Sequence, residues 1–380
     1  MQKPFKIGNS KIKRWLKIKL FGTSGIRGKY REEITEELAE EIGHAIGYYT
    51  DEEEIIVGSD PRISGPSLKK ALFSSLTKYK SVIDLGLAPT PIVAFGCNML
   101  SRNGIIITAS HNTKEYNGFK VVGKDGLAYP REKEKEIEKI IHNKEYKGSP
   151  IKGSVINKNI EEEYITTIIN KIPLKGKGKI LIDAGNGAAS FLSPLLLKRY
   201  GYDVIEVNCE ADGNFPNRNP EPNEANLIET AKLVKENGCD IGFCHDGDAD
   251  RMMAIDDKGK VVDFDKFLIF LCKTVAESNN NKIVVTTVDA SMAVEEYLKG
   301  FEVIRSKVGD VHVANEAKKH NASFGGEPSG SYIFPEFGLW PDGIYAIVKT
   351  LKALEKDGRK ISEILAEIQK YPMQRIKIHC

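Results

Sequence analysis

The chain has 380 residues, with 55 Lys and Arg against 53 Asp and Glu, 41% apolar residues and 16 prolines. At about 150 residues per domain that length holds two to three domains, and the composition excludes disorder, collagen and coiled coil as the main class. The net charge of +2 lacks the strong basic field of a dedicated nucleic-acid binder.

The first 19 residues hold Lys3, Lys6, Lys11, Lys13, Arg14, Lys17 and Lys19 and no acid, so this +7 leaves −5 on the rest. They lack the apolar core of a secretory signal. Downstream, strands and helices alternate. Ile55–Asp60 is a short apolar run ending in a polar turn, followed by helical periodicity over Ser67–Tyr79 and strands at Val82–Gly86 and Gly104–Ser110. Continuous β-branched runs such as Ile105-Ile106-Ile107 suit strands covered on both faces, as in a parallel sheet. After the charged helix Arg131–His142 a second unit begins near residue 150. It has strands at Ile180–Asp183, Val204–Val207 and Ile241–Cys244 and helices at Ala188–Tyr200 and Asn223–Asn237. A third begins near Asp256, with helices Phe264–Glu277, Ser291–Leu298, Val311–His320 and Gly343–Lys356 and strands Ile283–Val288, Val303–Ile304 and Ser323–Phe324. Its run Phe267–Cys272 is the longest apolar stretch, far short of the roughly 18–20 residues of a membrane helix. The runs Ile55–Asp60, Ile180–Gly185 and Ile283–Asp289 each end a strand in a polar turn before a helix, so the three units read as copies of one plan. Six cysteines without a C-x-x-C pair read as reduced thiols in a cytosolic compartment.

Four polar loops lie where strands end, the place where ligands gather in open α/β sheets. Phe21-Gly22-Thr23-Ser24-Gly25-Ile26-Arg27-Gly28 joins three glycines and two hydroxyls to an arginine, a flexible loop suited to an anion; a tight turn with a surface Arg27 is the plainer reading. Thr108-Ala109-Ser110-His111-Asn112 sets a hydroxyl at the end of an apolar strand. Neighbours in an extended segment point to opposite sides, so His111 is poorly placed as the base for Ser110. A metal or a phosphoryl group would then have to activate the serine, and Lys120 is a nearby cation able to carry a proton. A hydroxyl capping a turn is the alternative. Asp246, Asp248 and Asp250 stand in five residues with Gly247, Ala249 and Arg251. Such carboxylates repel unless a cation sits among them, and oxygen-only ligands indicate a hard ion, Mg²⁺ where phosphate is handled. An EF-hand is excluded, because Asp257 stands where its twelfth-position Glu belongs; a solvated acidic turn is the alternative. Gly325-Gly326-Glu327-Pro328-Ser329-Gly330 places Glu327 and Ser329 about a rigid proline, a natural reader of a sugar diol. Upstream, Gly309 and Asp310 open a helix.

In this order and spacing the segments resemble the α-D-phosphohexomutases, a family that includes phosphoglucomutases, phosphomannomutases and phosphoglucosamine mutases. The resemblance runs from about residue 19 to about 375. It implies three tandem α/β domains of related mixed-sheet topology around a central cleft: 19–149 with the phosphoserine, 150–255 with the metal loop and 256–370 with the sugar loop. Residues 1–18 would be a basic extension. It implies a phosphorylated Ser110, and Mg²⁺ held by Asp246, Asp248, Asp250 and a phosphate oxygen on Ser110. Arg27, Lys120, His111 and Arg251 would serve in catalysis, Lys120 as acid or base. Glu327, Ser329, Gly309 and Asp310 would bind the sugar. The implied reaction interconverts hexose or hexosamine 6- and 1-phosphates through a hexose 1,6-bisphosphate that also acts as activator. The partners are then small sugar phosphates, not nucleic acid or membrane, in a cytoplasmic monomer or homodimer.

The resemblance also implies a fourth domain with an R-x-S-G-T-x-P loop, on the order of 80–100 residues. No such loop follows Gly330, and residues 371–380 resemble the lead-in to that domain, which puts phosphate anchoring and cleft closure in question. Arg62-Ile63-Ser64-Gly65-Pro66 looks superficially like the missing loop but fits the first unit's ordinary turn. Thr113 stands where a proline is common, and Ser331 where many members have a histidine. The stretch Gly326–Gly330, with Pro341-Asp342-Gly343-Ile344 after it, looks more like archaeal-type phosphoglucosamine mutases than phosphomannomutases, with phosphomannomutase, phosphoglucomutase, a non-catalytic binding relative and a metal phosphohydrolase as alternatives.

Overall fold

The structure, a computed structural model, describes residues 19–22, 25–147, 152–278 and 281–373. The expectations for residues 1–18, for Thr23 and Ser24 and for 374–380 lie outside these described residues.

Three mixed sheets follow one another along the chain. The first contains β1 (Ile26–Lys29), β2 (Glu54–Ser59), β3 (Ser81–Leu87), β4 (Gly104–Ile107), β5 (Tyr116–Val122) and β6 (Val155–Asn157), in the order β1-β5-β4-β2-β3-β6. The second contains β7 (Lys179–Asp183), β8 (Asp203–Val207), β9 (Ile241–His245) and β10 (Met252–Ile255), in the order β10-β9-β7-β8. The third contains β11 (Ile283–Thr287), β12 (Glu302–Ser306), β13 (Phe324–Gly326), β14 (Tyr332–Phe334) and β15 (Gly338–Pro341), in the order β12-β11-β13-β14-β15.

One four-strand plan underlies all three. A central strand (β2, β7, β11) is parallel to both neighbours, and the outer neighbour turns back through a hairpin into an antiparallel strand (β5, β10, β14). The three runs matched in the sequence, Ile55–Asp60, Ile180–Gly185 and Ile283–Asp289, fall on these central strands. Their apolar residues are covered on both faces: Ile55, Ile56, Val57, Leu181, Ile182, Val284 and Val285 are all inaccessible to solvent.

Two sequence expectations need correction. The strand expected to reach Ser110 ends at Ile107, because Ser110 adopts φ 50, outside any β conformation. The helix expected from Ala188 starts at Leu192, since Ala188 N–H is given instead to the carbonyl of Gly247 at 2.9 Å. Beyond residue 149, the short strand β6 pairs in parallel with β3.

The helices are fixed by ordinary signals. Thr35 caps the helix Glu36–Tyr49, its hydroxyl accepting from Leu38 N–H, with Glu36 and Glu37 at the positive end of the dipole. Asp342 caps Gly343–Asp357 by accepting from Tyr345 N–H, and Gly358 at φ 83 ends it. Its residues Ile344, Ile347, Val348 and Leu351 lie on one stripe and are buried. The largest core runs through all three units, joining Ile56 and Val93 to Ile182 and Phe243 and to Val284 and Phe324. An aromatic junction seals it: Phe95 stacks on Phe337, Tyr164 meets Phe95 edge-on at 5.3 Å, and Tyr164 OH lies 2.8 Å from both oxygens of Asp342. No helix among the described residues is long and apolar enough to cross a membrane.

Candidate active site

The shared plan explains why the expected residues meet. The hairpin turn between the third and fourth strands recurs in each unit. It carries Ser110 between β4 and β5, Asp246 to Arg251 between β9 and β10, and Glu327 to Ser331 between β13 and β14. With Arg27 of β1, these turns border a cleft of about 610 Å³ lined by Ser110, His111, Asp250, Arg251, Gly309, Asp310, Glu327 and Ser329.

Ser110 is almost wholly buried. Its hydroxyl donates to Asp246 Oδ2 at 2.7 Å, and its N–H donates to the Thr108 hydroxyl at 2.8 Å. The left-handed backbone at Ser110 corrects the geometry expected for His111. The segment is not extended, and His111 Nδ1 lies 3.4 Å from Ser110 Oγ. Proximity does not make it an effective base. Burial, then the charges of Arg251 and Arg27, push the imidazole down to about 3, so it is neutral and weakly basic near pH 7.

Asp246, Asp248 and Asp250 each offer an oxygen within 4.8 Å of the others, and all three side chains are buried. Ala249 at φ 56 turns the loop inward. Gly247 allows it to reach the first unit: a Cβ there would lie 2.6 Å from the carbonyl of Ser110. Thr90, whose hydroxyl donates to Asp248 Oδ2 at 2.6 Å, closes the cluster from the start of the helix Thr90–Leu100. Lys120 Nζ stands 2.8 Å from Asp248 Oδ2 and 2.6 Å from Asp250 Oδ2. Burial disfavours its charge, yet the two carboxylates outweigh burial and hold Lys120 above its ordinary range. Lys120 is therefore protonated in this state and donates hydrogen bonds to both carboxylates. Asp248 likewise stays below the usual carboxylate range, with Lys120 overcoming burial. Asp246, facing Ser110 rather than Lys120, is raised by burial and by its two acidic neighbours. Asp248 Oδ1 and Asp250 Oδ1 are buried without a hydrogen-bond partner. A converging set of hard oxygens with unsatisfied lone pairs fits a divalent cation such as Mg²⁺.

Arg27 lies opposite Gly118 in the β1–β5 pairing, and its Nε is buried without a protein partner. Arg251 is bridged to Ser331, and Met252 N–H donates to the carbonyl of Gly330 at 2.9 Å, so the second and third units are stitched beside the cleft. Glu327 Oε1 accepts from Gly309 N–H at 2.7 Å. Burial first, then Asp310, push Glu327 up to about 7. Ser329 and Ser331 line the same wall. Every expected residue with described coordinates is thus in or beside the cleft. Sequence reasoning missed Thr90 and also Asp289, which lines the cleft; the hydroxyl between Pro89 and Pro91, just beyond β3, was the available signal for Thr90.

Models of the phosphoglucomutase/phosphomannomutase alpha/beta/alpha domains I, II and III match residues 18–148, 162–259 and 263–371. The chain belongs to this family. As a phosphohexomutase it is an enzyme of the isomerase class. A probable phosphoglucosamine mutase of Methanothermobacter thermautotrophicus is 41% identical over 371 residues, 96% of this chain and 81% of that protein. A phosphoglucomutase/phosphomannomutase family protein from Burkholderia thailandensis superposes with a TM-score of 0.85 at 28% identity, over 92% of this chain and 80% of that one. The N-acetylphosphoglucosamine mutase of Aspergillus fumigatus, solved with GlcNAc-6P and magnesium, shares the fold at a TM-score of 0.56 and 16% identity, over 95% of this chain and 84% of that one.

Proposed function

We propose that this phosphohexomutase interconverts glucosamine 6-phosphate and glucosamine 1-phosphate, with the phosphoryl group carried on Ser110. The observation that most supports this is the Ser110 hydroxyl hydrogen-bonded to Asp246 of the buried triad, at a cleft with Arg27 and Arg251 on its walls. A nucleophilic oxygen beside a cation site and fixed guanidinium groups meets the main need of phosphoryl transfer, which is neutralising charge spread over oxygens. Asp246, Asp248, Asp250 and an oxygen on Ser110 would hold Mg²⁺, which when bound supplies that neutralisation next to the serine.

Arg27 and Arg251 hold the sugar's phosphate, and Glu327 and Ser329 take its hydroxyls. Gly309 and Asp310 shape the pocket that chooses the sugar. Phosphoserine 110 gives its phosphoryl group to the free sugar hydroxyl. One P–O bond breaks at Ser110 and one forms at the sugar, and the hydroxyl proton ends on Ser110 Oγ with Lys120 as its carrier. The sugar bisphosphate so formed returns its other phosphoryl group to Ser110. His111, neutral, lines the serine side of the cleft.

A coupled assay on glucosamine, glucose and mannose phosphates, primed with hexose 1,6-bisphosphate, tests the reading. The expected result is turnover fastest with glucosamine phosphate, one phosphate per chain by intact mass, and loss of both in Ser110→Ala. Phosphate release from monoesters without isomer formation would overturn it in favour of a phosphohydrolase; phosphorylation without turnover would mark a binding relative.

A further inference from the structure

We infer that Arg62, together with Phe215 of the second unit, is the positioning element that sets the Ser110 loop in its reactive shape. The inference rests on the assignment of Ser110 as the phosphoryl carrier.

Arg62 is an arginine with no exposed surface, and all five of its guanidinium N–H groups are used. Nε donates to Asp60 Oδ2 at 2.9 Å. Nη2 donates to the carbonyls of Ser110 (2.9 Å) and Asn112 (2.6 Å), and Nη1 to those of Thr113 (2.5 Å) and Tyr116 (2.9 Å). Four carbonyls of one seven-residue turn thus converge on a single side chain. Asp60 holds the same turn from its other side: Asp60 Oδ2 accepts from Thr108 Oγ1 at 2.7 Å, and Thr108 Oγ1 accepts from Ser110 N–H. The residue between these restraints has φ 50, a conformation disfavoured for any side chain with a Cβ. The pair therefore imposes on Ser110 the backbone that aims its hydroxyl at Asp246.

The second unit covers this device. The guanidinium carbon of Arg62 lies 5.1 Å from the ring centroid of Phe215, and a Cβ at Gly213 would fall 2.2 Å from the carbonyl of Pro61. Docking of the two units is thereby tied to the shape of the serine loop.

The same junction is solved in the second unit by another route. Asp183, at the end of its central strand, accepts from Arg218 Nε at 2.9 Å, and Arg218 Nη2 donates to the carbonyl of His245, next to the triad, at 2.7 Å. Thr230 donates to Asp183 as Thr108 does to Asp60. Arg62 comes two residues after its aspartate and Arg218 thirty-five, so local sequence alone does not account for the shared arrangement. Both reactive turns rest on a buried guanidinium.

The test compares full-length wild type, Arg62→Lys and Phe215→Leu. Lysine keeps the charge beside Asp60 but offers its three donors from one point and cannot span four carbonyls. Hydrogen–deuterium exchange of the unphosphorylated, ligand-free protein should show amides of the 108–119 segment opening at least about tenfold faster in Arg62→Lys, with the third unit unchanged. With hexose phosphate, kcat should fall about 100-fold while KM stays within about threefold, the mark of a misplaced reacting group. Phe215→Leu should give the same pattern at about a third to a tenth of the size. Wild-type exchange in that segment, or wild-type kcat, in a folded Arg62→Lys protein overturns the inference. If Arg62→Lys does not fold, Phe215→Leu decides, and its indistinguishability from wild type overturns the inference. Failure of the mutase assignment is seen separately, as an inactive wild type, because the exchange measurement needs neither substrate nor phosphoserine.

Discussion

Lys120 occupies an unusual position for a residue expected to move protons. Its ammonium is clamped between Asp248 and Asp250, so in the ion-free protein it is the counter-charge for a buried acidic cluster. Removing one partner of a buried ion pair costs about 3–5 kcal/mol because the other charge is stranded. Lys120→Met should therefore lower the thermal midpoint sharply in chelator, and added Mg²⁺ should recover much of that loss; a midpoint indifferent to Mg²⁺ would contradict the cation site. In wild type, Mg²⁺ should raise the midpoint in proportion to the logarithm of its concentration above Kd, and Asp246→Asn should abolish the rise. His111 shows how a residue can be near enough and still unsuited: at 3.4 Å from Ser110 Oγ it is held neutral by burial and by two arginines.

At the scale of elements, the hairpin turns concentrate the chemistry, and their backbones are as specific as their side chains. Gly247→Ala would press a methyl group to 2.6 Å from the carbonyl of Ser110. The turn must shift, which we expect to cost about 1–3 kcal/mol and to reduce kcat far more than it raises KM. How much was legible in the sequence follows from the same distinction. Central strands such as Ile55-Ile56-Val57 announce themselves, because a strand covered on both faces must be apolar throughout. The acidic turn was legible because three carboxylates in five residues need a cation. The conformation of Ser110 was not, since a left-handed serine is imposed by Arg62 and Asp60 some 50 residues upstream. Nor was the start of the helix at Leu192, because the amide of Ala188 is used to hold a loop of the neighbouring β9–β10 hairpin. Short antiparallel strands such as β10 and β14 also escaped, being only four and three residues long.

Across the whole molecule, the three units meet at Asp342. It caps a helix of the third unit and accepts from Tyr164 of the second, close to Phe95 of the first. Burial pushes its carboxyl up to about 6 from the ordinary 3.8. The native state therefore holds this proton more tightly than the unfolded chain. The resulting contribution is fully present below pH 3.8 and lost as pH rises through about 6. At about 1.4 kcal/mol per unit, the loss is about 3 kcal/mol. Asparagine is an equally good cap without the charge, so Asp342→Asn should be more stable than wild type above pH 6, by an amount that vanishes near pH 4. Urea denaturation of the two proteins across that range measures it, and a pH-independent difference would refute it.

The repeated hairpin has a final consequence for how the enzyme fails. Each unit can keep its own sheet and still contribute only a fragment of a reaction centre: a hydroxyl, an acidic loop, or a carboxylate and a serine for the sugar. The cleft is a coincidence of three docked surfaces, so it reports assembly rather than secondary structure. Heating should therefore extinguish turnover as soon as any one unit swings away, at a temperature where circular dichroism still records most of the helices and strands in place.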